Sequence, residues 1–322
     1  MSADVRMPGS DHFDGRRFFN PGNRIEHGLI DVLKWQLTNQ RKAWPAWVEH
    51  PAAPPLPSVE PGHLCATFIN HATFLVRTPA AAILTDPIFS RRASPVQWIG
   101  PARVHAPGLP LDCLPRVDLV LVSHSHYDHM NVPTLQWLDR HFGPLFLTPL
   151  GNARYLVRQG LRRVEELDWW ASHETASARV TLTPAQHFSA RTPFDRNRAL
   201  WGSFWVESAG HRVYFGADSG YAAHFHRIAD RFGPPQLALL PIGAYEPRWF
   251  MKPMHMNPAE SVQAYLDLGA QQSVAMHFGC FHLTDEGIDE PVRALSAALA
   301  DRGVPAEQFR VLAPGETLTV TS

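Results

Sequence analysis

Residues 117–130 read V-D-L-V-L-V-S-H-S-H-Y-D-H-M, an apolar run that ends in three histidines and an aspartate. The run at 119–122 has the unbroken hydrophobicity of a buried strand. His124, His126, Asp128 and His129 then fall within six positions. A chain leaving a strand at that point projects these side chains into one small volume at the sheet edge. Imidazole and carboxylate donors together suit Zn, Fe or Mn, and this cluster offers more donors than one ion needs. Four such residues in six positions do not serve packing. The pattern therefore implies an α/β chain carrying a metal centre, with two ions and hydrolytic chemistry expected.

The chain must supply the remaining donors, and its 322 residues can bury a core large enough to position them. Net charge is −1, with lysine only at Lys34, Lys42 and Lys252, so no basic footprint for nucleic acid exists. Cys65, Cys113 and Cys280 are scattered and odd in number, which argues against a disulfide framework and for a reducing, cytoplasmic setting. No apolar run reaches the length of a membrane span, and the polar start Met1–Asp14 lacks a signal-peptide core. Peripheral contact with the inner membrane stays open.

Residues 1–60 read as an N-terminal extension. Within 24–42, Ile25, Leu29, Leu33 and Leu37 recur every four residues with Ile30 beside them, predicting an amphipathic helix. Its apolar face can cover the main domain, meet a second subunit in a homodimer, or touch lipid. Residues 51–61, rich in proline, are expected to be an extended connector. From residue 61 to 322, strands and helices alternate. Segments 63–76, 81–85, 117–123, 179–183, 212–215, 237–240 and 273–276 read as strands. Asn257-Pro258-Ala259-Glu260 is a helix start with Gly269 as its stop, and 292–300 is a second helix with Pro291 in its first turn.

A donor should stand at the end of an apolar strand. His187, Asp218 and His277 each do. The seven candidates divide into His124, His126 and His187 for one ion, and Asp128, His129 and His277 for the other, with Asp218 as a bridge. Singly, His187 or His277 would read as a histidine bonded to backbone. With the cluster at 124–129 they become donors. Asp86 and His71 stand beside early strands and read equally as turn formers or as groups hydrogen-bonded to donor imidazoles. Glu246 and Arg248 read as an ion pair.

At this point the residues match a family. The H-x-H-x-D-H pattern with a later His, Asp and His resembles the metallo-β-lactamase superfamily. Across 64–315 the chain is more closely similar to N-acyl-phosphatidylethanolamine-hydrolysing phospholipases D. The strings that carry this are His71-Ala-Thr, Leu84-Thr-Asp-Pro-Ile-Phe-Ser, Arg92-Ala-Ser-Pro, Glu166-Leu-Asp-Trp-Trp, Leu200-Trp-Gly-Ser and Pro241-Ile-Gly-Ala-Tyr-Glu-Pro-Arg-Trp-Phe-Met-Lys252.

The resemblance implies an αββα sandwich over 61–322, two Zn2+ ions (Fe or Mn being alternatives) on the seven residues above, and a phospholipid substrate. It places His255 at the mouth of the site, with Asp128, Asp218 and His255 as the catalytic residues. The implied reaction gives an N-acylethanolamine and phosphatidic acid; a lactonase or other ester hydrolase on the same metals is the rival. Ser125, Asn70, Phe278 and Cys280 depart from the family's usual residues, and none of them is a donor.

Overall fold

A computed structural model describes residues 10–25 and 28–321; residues 1–9 of the polar start, and Glu26 and His27 of the expected helix, lie outside the described residues. The strands are β1 (His63–Asn70), β2 (Thr73–Arg77), β3 (Ala82–Thr85), β4 (Leu119–Leu121), β5 (Leu145–Pro149), β6 (Val164–Leu167), β7 (Ser172–Glu174), β8 (Arg179–Thr183), β9 (Ser203–Ser208), β10 (His211–Phe215), β11 (Leu237–Pro241), β12 (Gln272–Met276), β13 (Phe309–Arg310) and β14 (Thr317–Thr321). They form two seven-stranded sheets, β14-β1-β2-β3-β4-β5-β6 and β13-β12-β11-β10-β9-β8-β7. The helices are α1 (Leu29–Thr38), α2 (Val132–His141), α3 (Ala153–Arg158), α4 (His224–Phe232), α5 (Arg248–Met251), α6 (Pro258–Leu268) and α7 (Glu290–Asp301).

Alternation along the central strands creates the layers. In β4, Leu119 and Leu121 join Phe74, Leu182, Phe215 and Met276 in the core between the sheets. Val120 points the other way, onto Leu135 and Leu138 of α2. On the second sheet, Ala238, Leu240 and Ala275 meet Ile228 of α4, Val262 and Leu268 of α6 and Leu295 of α7. The result is the expected αββα sandwich, a metallo-β-lactamase fold. Strands β3–β6 run parallel, as do β10–β13, so the carboxyl ends of each set share one edge. In such sheets that edge is where ligands bind.

All seven expected strand segments are present, and α6 opens with the Asn257–Glu260 capping box and closes on Gly269 at φ 60°. The strands β5, β6, β7, β9, β13 and β14 and the helices α2–α5 are not among the expected elements. The three cysteines are free. Among the described residues no helix is long and apolar enough to cross a membrane.

The helix in the N-terminal extension forms, but its apolar repeat does not face the body. Ile30, Leu33 and Leu37 are 81, 60 and 86 % exposed. Instead Val32 and Trp35 pack with Ile25 against Phe188, Phe250, Met251 and Met254. Trp35 stacks on Phe250 at 5.3 Å and donates Nε1 to Asp285 at 3.0 Å. One tryptophan with a wide ring and a hydrogen bond outweighs a stripe of leucines in choosing the buried side. Residues 39–60 contain neither helix nor strand. They lie along the body, with Val48 N–H bonded to Val104 O at 2.6 Å.

Candidate metal centre

Each expected donor stands just beyond a strand. After β4, the turn of residues 124–130 closes through His129 N–H and Met130 N–H on His126 O, and Asn131 caps α2 directly behind it. His187 follows β8, Asp218 follows β10 and His277 follows β12. The backbone is bent hard at this edge: His71, Asp86, Ala217 and His277 have φ of 47, 31, 49 and 60°. Left-handed conformations at non-glycine residues cost free energy and gather where the surrounding fold fixes a functional geometry. Gly243 is required beside them, since a Cβ there would meet His277 O at 2.1 Å.

These bends bring the seven residues together in two groups. His124, His126, His187 and Asp218 offer donor atoms all within 4.8 Å of one another. His126 Nδ1 lies 2.8 Å from His124 Nε2 and 3.3 Å from His187 Nε2. The second group holds Asp128, His129 and His277 and also His71. Asp128 Oδ2 is 3.4 Å from His129 Nε2, 3.5 Å from His277 Nε2 and 3.1 Å from His71 Nε2. Asp218 stands between the groups. Its Oδ2 lies 3.7 Å from His187 Nε2, 3.9 Å from His124 Nε2 and 3.2 Å from His129 Nε2, and its Oδ1 lies 3.1 Å from His277 Nε2.

The neighbours fix which ring nitrogens face inward. His129 Nδ1 donates to Asp86 Oδ2 at 2.6 Å, and His187 Nδ1 donates to Met254 O at 2.9 Å. His124 Nδ1 meets Ser123 Oγ at 2.8 Å, and that hydroxyl donates to Asp86 Oδ2 at 2.5 Å. Nε2 of each ring is thereby turned inward, where a cation can take the place of a proton. Asp86, read from sequence as equally a turn former, thus orients two of the rings. His71 bonds the Asp128 carboxylate rather than an imidazole, and it joins the second group. The sequence hint there was only a histidine between two strands.

The donor set suits a divalent cation. His129 Nε2, His277 Nε2 and Asp218 Oδ1 are buried with no aligned hydrogen-bond partner, although they lie within 3.2 Å of opposite atoms. Unpaired buried polar atoms each cost about 1–3 kcal/mol, so such a convergence needs a further partner. Burial pushes His126 down to about 3 and His187 to about 4, so both rings are neutral and free to ligate. Burial works against the charge on Asp128 and Asp218 too, but the rings of His129 and His277, whose own proton affinity these carboxylates raise, outweigh it and hold both well below the usual carboxylate range. Two buried carboxylates thus demand positive charge in the space they face.

His255 lies beside this space. Its Nδ1 is 4.0 Å from Asp218 Oδ2, buried and without a hydrogen-bond partner, and burial lowers its affinity for a proton well below that of a free imidazole. Arg248 holds its loop, donating Nη1 to His255 O at 3.0 Å while Nη2 pairs with Glu260 at 2.7 Å. The ion pair expected between Arg248 and Glu246 is not formed; Glu246 Oε2 instead accepts the Arg248 backbone N–H at 2.9 Å. The capping box brings Glu260 close and wins the guanidinium. The apolar group of Phe188, Phe250, Met251 and Met254 flanks the same region, with Phe188 at 4.6 Å from the His126 ring. The N-terminal extension is tied to it: Asn20 donates Nδ2 to His187 O at 2.8 Å, and Gln186 donates Nε2 to Asn23 O at 2.8 Å. Nothing in the sequence pointed to Asn20.

Residues 81–278 match the model of a β-lactamase superfamily domain. The chain is 39% identical over 285 residues to an uncharacterized protein of Mycobacterium tuberculosis, covering 85% of this chain and 74% of that one. It is 37% identical over 240 residues to N-acyl-phosphatidylethanolamine-hydrolyzing phospholipase D 1 of Caenorhabditis elegans, covering 71% of this chain and 67% of that one. Among solved structures it is similar to Igni18, a metallo hydrolase of Ignicoccus hospitalis, with a TM-score of 0.60 at 21% identity over 81% of this chain and 99% of that one.

Proposed function

Given that this chain belongs to the β-lactamase superfamily, as a metal-dependent hydrolase, we propose that it is a two-metal phosphodiesterase of phospholipase D type. Its substrate in this reading is an N-acyl-phosphatidylethanolamine, and its products are an N-acylethanolamine and phosphatidic acid. The observation that carries the two-metal part is the Asp218 carboxylate, which lies within 4 Å of donors in both groups. The substrate class is supported by the name of the nematode relative and by the apolar wall beside the donors.

His124, His126 and His187 would hold one ion, Asp128, His129 and His277 the other, and Asp218 both. Zinc is the proposed metal, because imidazoles outnumber carboxylates. A divalent pair in such a site supplies Lewis acidity and a water nucleophile near neutral pH. The chain's own part is orientation and proton transfer. Asp86 and Ser123 hold His124 and His129, and Met254 O holds His187. His255 Nδ1 is placed to donate a hydrogen bond to a phosphoryl oxygen, while Asp128 or Asp218 takes up the proton released by water and returns it to the departing alkoxide. Phe188, Phe250, Met251 and Met254 keep bulk water from that side and favour an acyl-bearing substrate. The outward side chains Ile30, Leu33 and Leu37 of α1 suit peripheral contact with a lipid surface.

The test is digestion of mixed-lipid vesicles in 18O-labelled water, with mass spectrometry of every product. The reading expects one label in the phosphate of phosphatidic acid. Label in a carboxylic acid, or turnover of a lactone with no phosphodiester cleavage, would overturn it.

A further inference from the structure

On the other flank of His277 the fold forms a second, partly open space. A cavity of about 510 Å3 lies between residues 45–50 of the N-terminal extension, the end of β1, the segment after His277, the start of α7 and residues 311–314. None of the residues at the mouth near His255 lines it. Its size falls within the range of small-ligand sites, and its walls are mainly apolar, as such sites require. Phe68, Phe278, Val292 and Leu312 supply much of that wall. The Phe68 and Phe278 rings stack with centroids 6.0 Å apart.

From this cavity we infer a binding site for a neutral single-chain amphiphile, an aliphatic tail ending in a hydrogen-bond-donating head such as a hydroxyl or amide N–H. Neither lysine nor arginine lines it, and the only carboxylate in the wall is Asp289. An anionic head would find no cation there and one like charge. Its remaining polar groups are two histidines in edge-to-face contact, His50 and His105, with ring centroids 5.1 Å apart. His105 donates Nδ1 to Ala106 O at 2.7 Å, which leaves Nε2 as an acceptor. Burial pushes that ring down to about 4, so it stays neutral near pH 7 and selects a donor rather than an anion. Because Phe278 is bonded to His277, an occupant of this site sits one residue from the candidate metal centre. This inference does not depend on the proposed substrate.

The test uses the full metal-loaded chain and a dodecanol derivative carrying a diazirine in its alkyl chain. Photolysis should label peptides containing Phe278, Val292 or Leu312, and excess dodecanol should suppress the label. In equilibrium binding, Val311→Trp should weaken dodecanol at least tenfold; Val311 lines the cavity and is already 37 % exposed, so the fold tolerates the larger side chain. Label confined to Ile30, Leu33 and Leu37 or to residues 250–254 would overturn the site. Dodecanoate binding as tightly as dodecanol would overturn the neutral head, and binding unchanged in Val311→Trp would overturn the cavity as the place of binding.

Discussion

Asp86 and His129, both completely buried, are joined by a 2.6 Å hydrogen bond that turns His129 Nε2 toward Asp218. The same carboxylate binds Ser123 through its backbone N–H at 2.7 Å and through its hydroxyl. Partners of this kind hold ligand rings in one tautomer, and their loss costs about 10–100-fold in metal affinity. Asp86→Asn should therefore lower affinity by that factor without removing a donor. Competition against a chromogenic chelator measures it, and an unchanged affinity would show that His129 is not held this way.

Asp218 lies within reach of both donor groups, so its replacement should affect two ions rather than one. Elemental analysis of pure protein should give close to two metal ions per chain, and Asp218→Asn should lower that count and abolish phosphodiester hydrolysis. His187→Ala should do the same through the first group. A folded Asp218→Asn protein with unchanged metal content and turnover would reject the shared role.

Asn20 makes two buried contacts, donating to His187 O and accepting Trp201 Nε1 at 3.2 Å. Removing one partner of a buried hydrogen bond costs about 1–3 kcal/mol. Asn20→Ala should lower the midpoint of chemical unfolding accordingly and should also weaken metal binding, because the strand end carrying His187 loses its tie. A stability loss with unchanged metal affinity would make Asn20 a packing residue only.

Stability near the N-terminus should depend on pH through His12. Burial lowers the proton affinity of this ring, but hydrogen bonds to Asp168 at 2.8 Å and Asp11 at 2.7 Å outweigh it, and the net value is raised above 6.5. The bound proton favours the folded state. Its contribution is full below pH 6.5 and fades as pH rises through the raised folded value. Proteolysis within residues 10–25 should accelerate over that rise in wild type. In His12→Gln the rate should be flat, and equal slopes in both proteins would discount the link.

The exposed face of α1 gives a separate prediction. Replacing Ile30, Leu33 and Leu37 together by serine should reduce activity on vesicles several-fold and leave the rate on a short soluble phosphodiester unchanged. Equal losses on both would assign the face to stability instead.

These residues also show what a sequence can convey. The turn at 124–129 was legible because four donors in six positions have no packing purpose, and His187, Asp218 and His277 because each stands past a strand that its own alternation marks. His71 was harder. Its approach to Asp128 depends on the irregular pairing at Asn70 and on a left-handed backbone, neither of which one side chain announces. Asn20 gave no signal, since a single amide far from its partner has no periodicity. For α1 the period was right and the face wrong: leucine spacing predicts a stripe, whereas the contact is decided by where Trp35 finds Phe250 and Asp285. Among the strands missed, β6, β7, β13 and β14 lie at the sheet edges, where two to five residues carry too little pattern.

The pairing of β1 with β14 has a consequence for how the polypeptide is made. His63 to Thr67 find their neighbours at Thr317 to Thr321, about 250 residues later. At the usual pace of synthesis, about 5–20 residues per second, β1 leaves the ribosome roughly 10–50 s before its partner exists. Once β6 has emerged, the sheet lacks only β14 and offers an open edge of unpaired amides, the form most readily captured by another nascent chain. Expression of this protein should therefore be sensitive to premature termination, and fragments ending before residue 317 should accumulate as aggregates or be degraded.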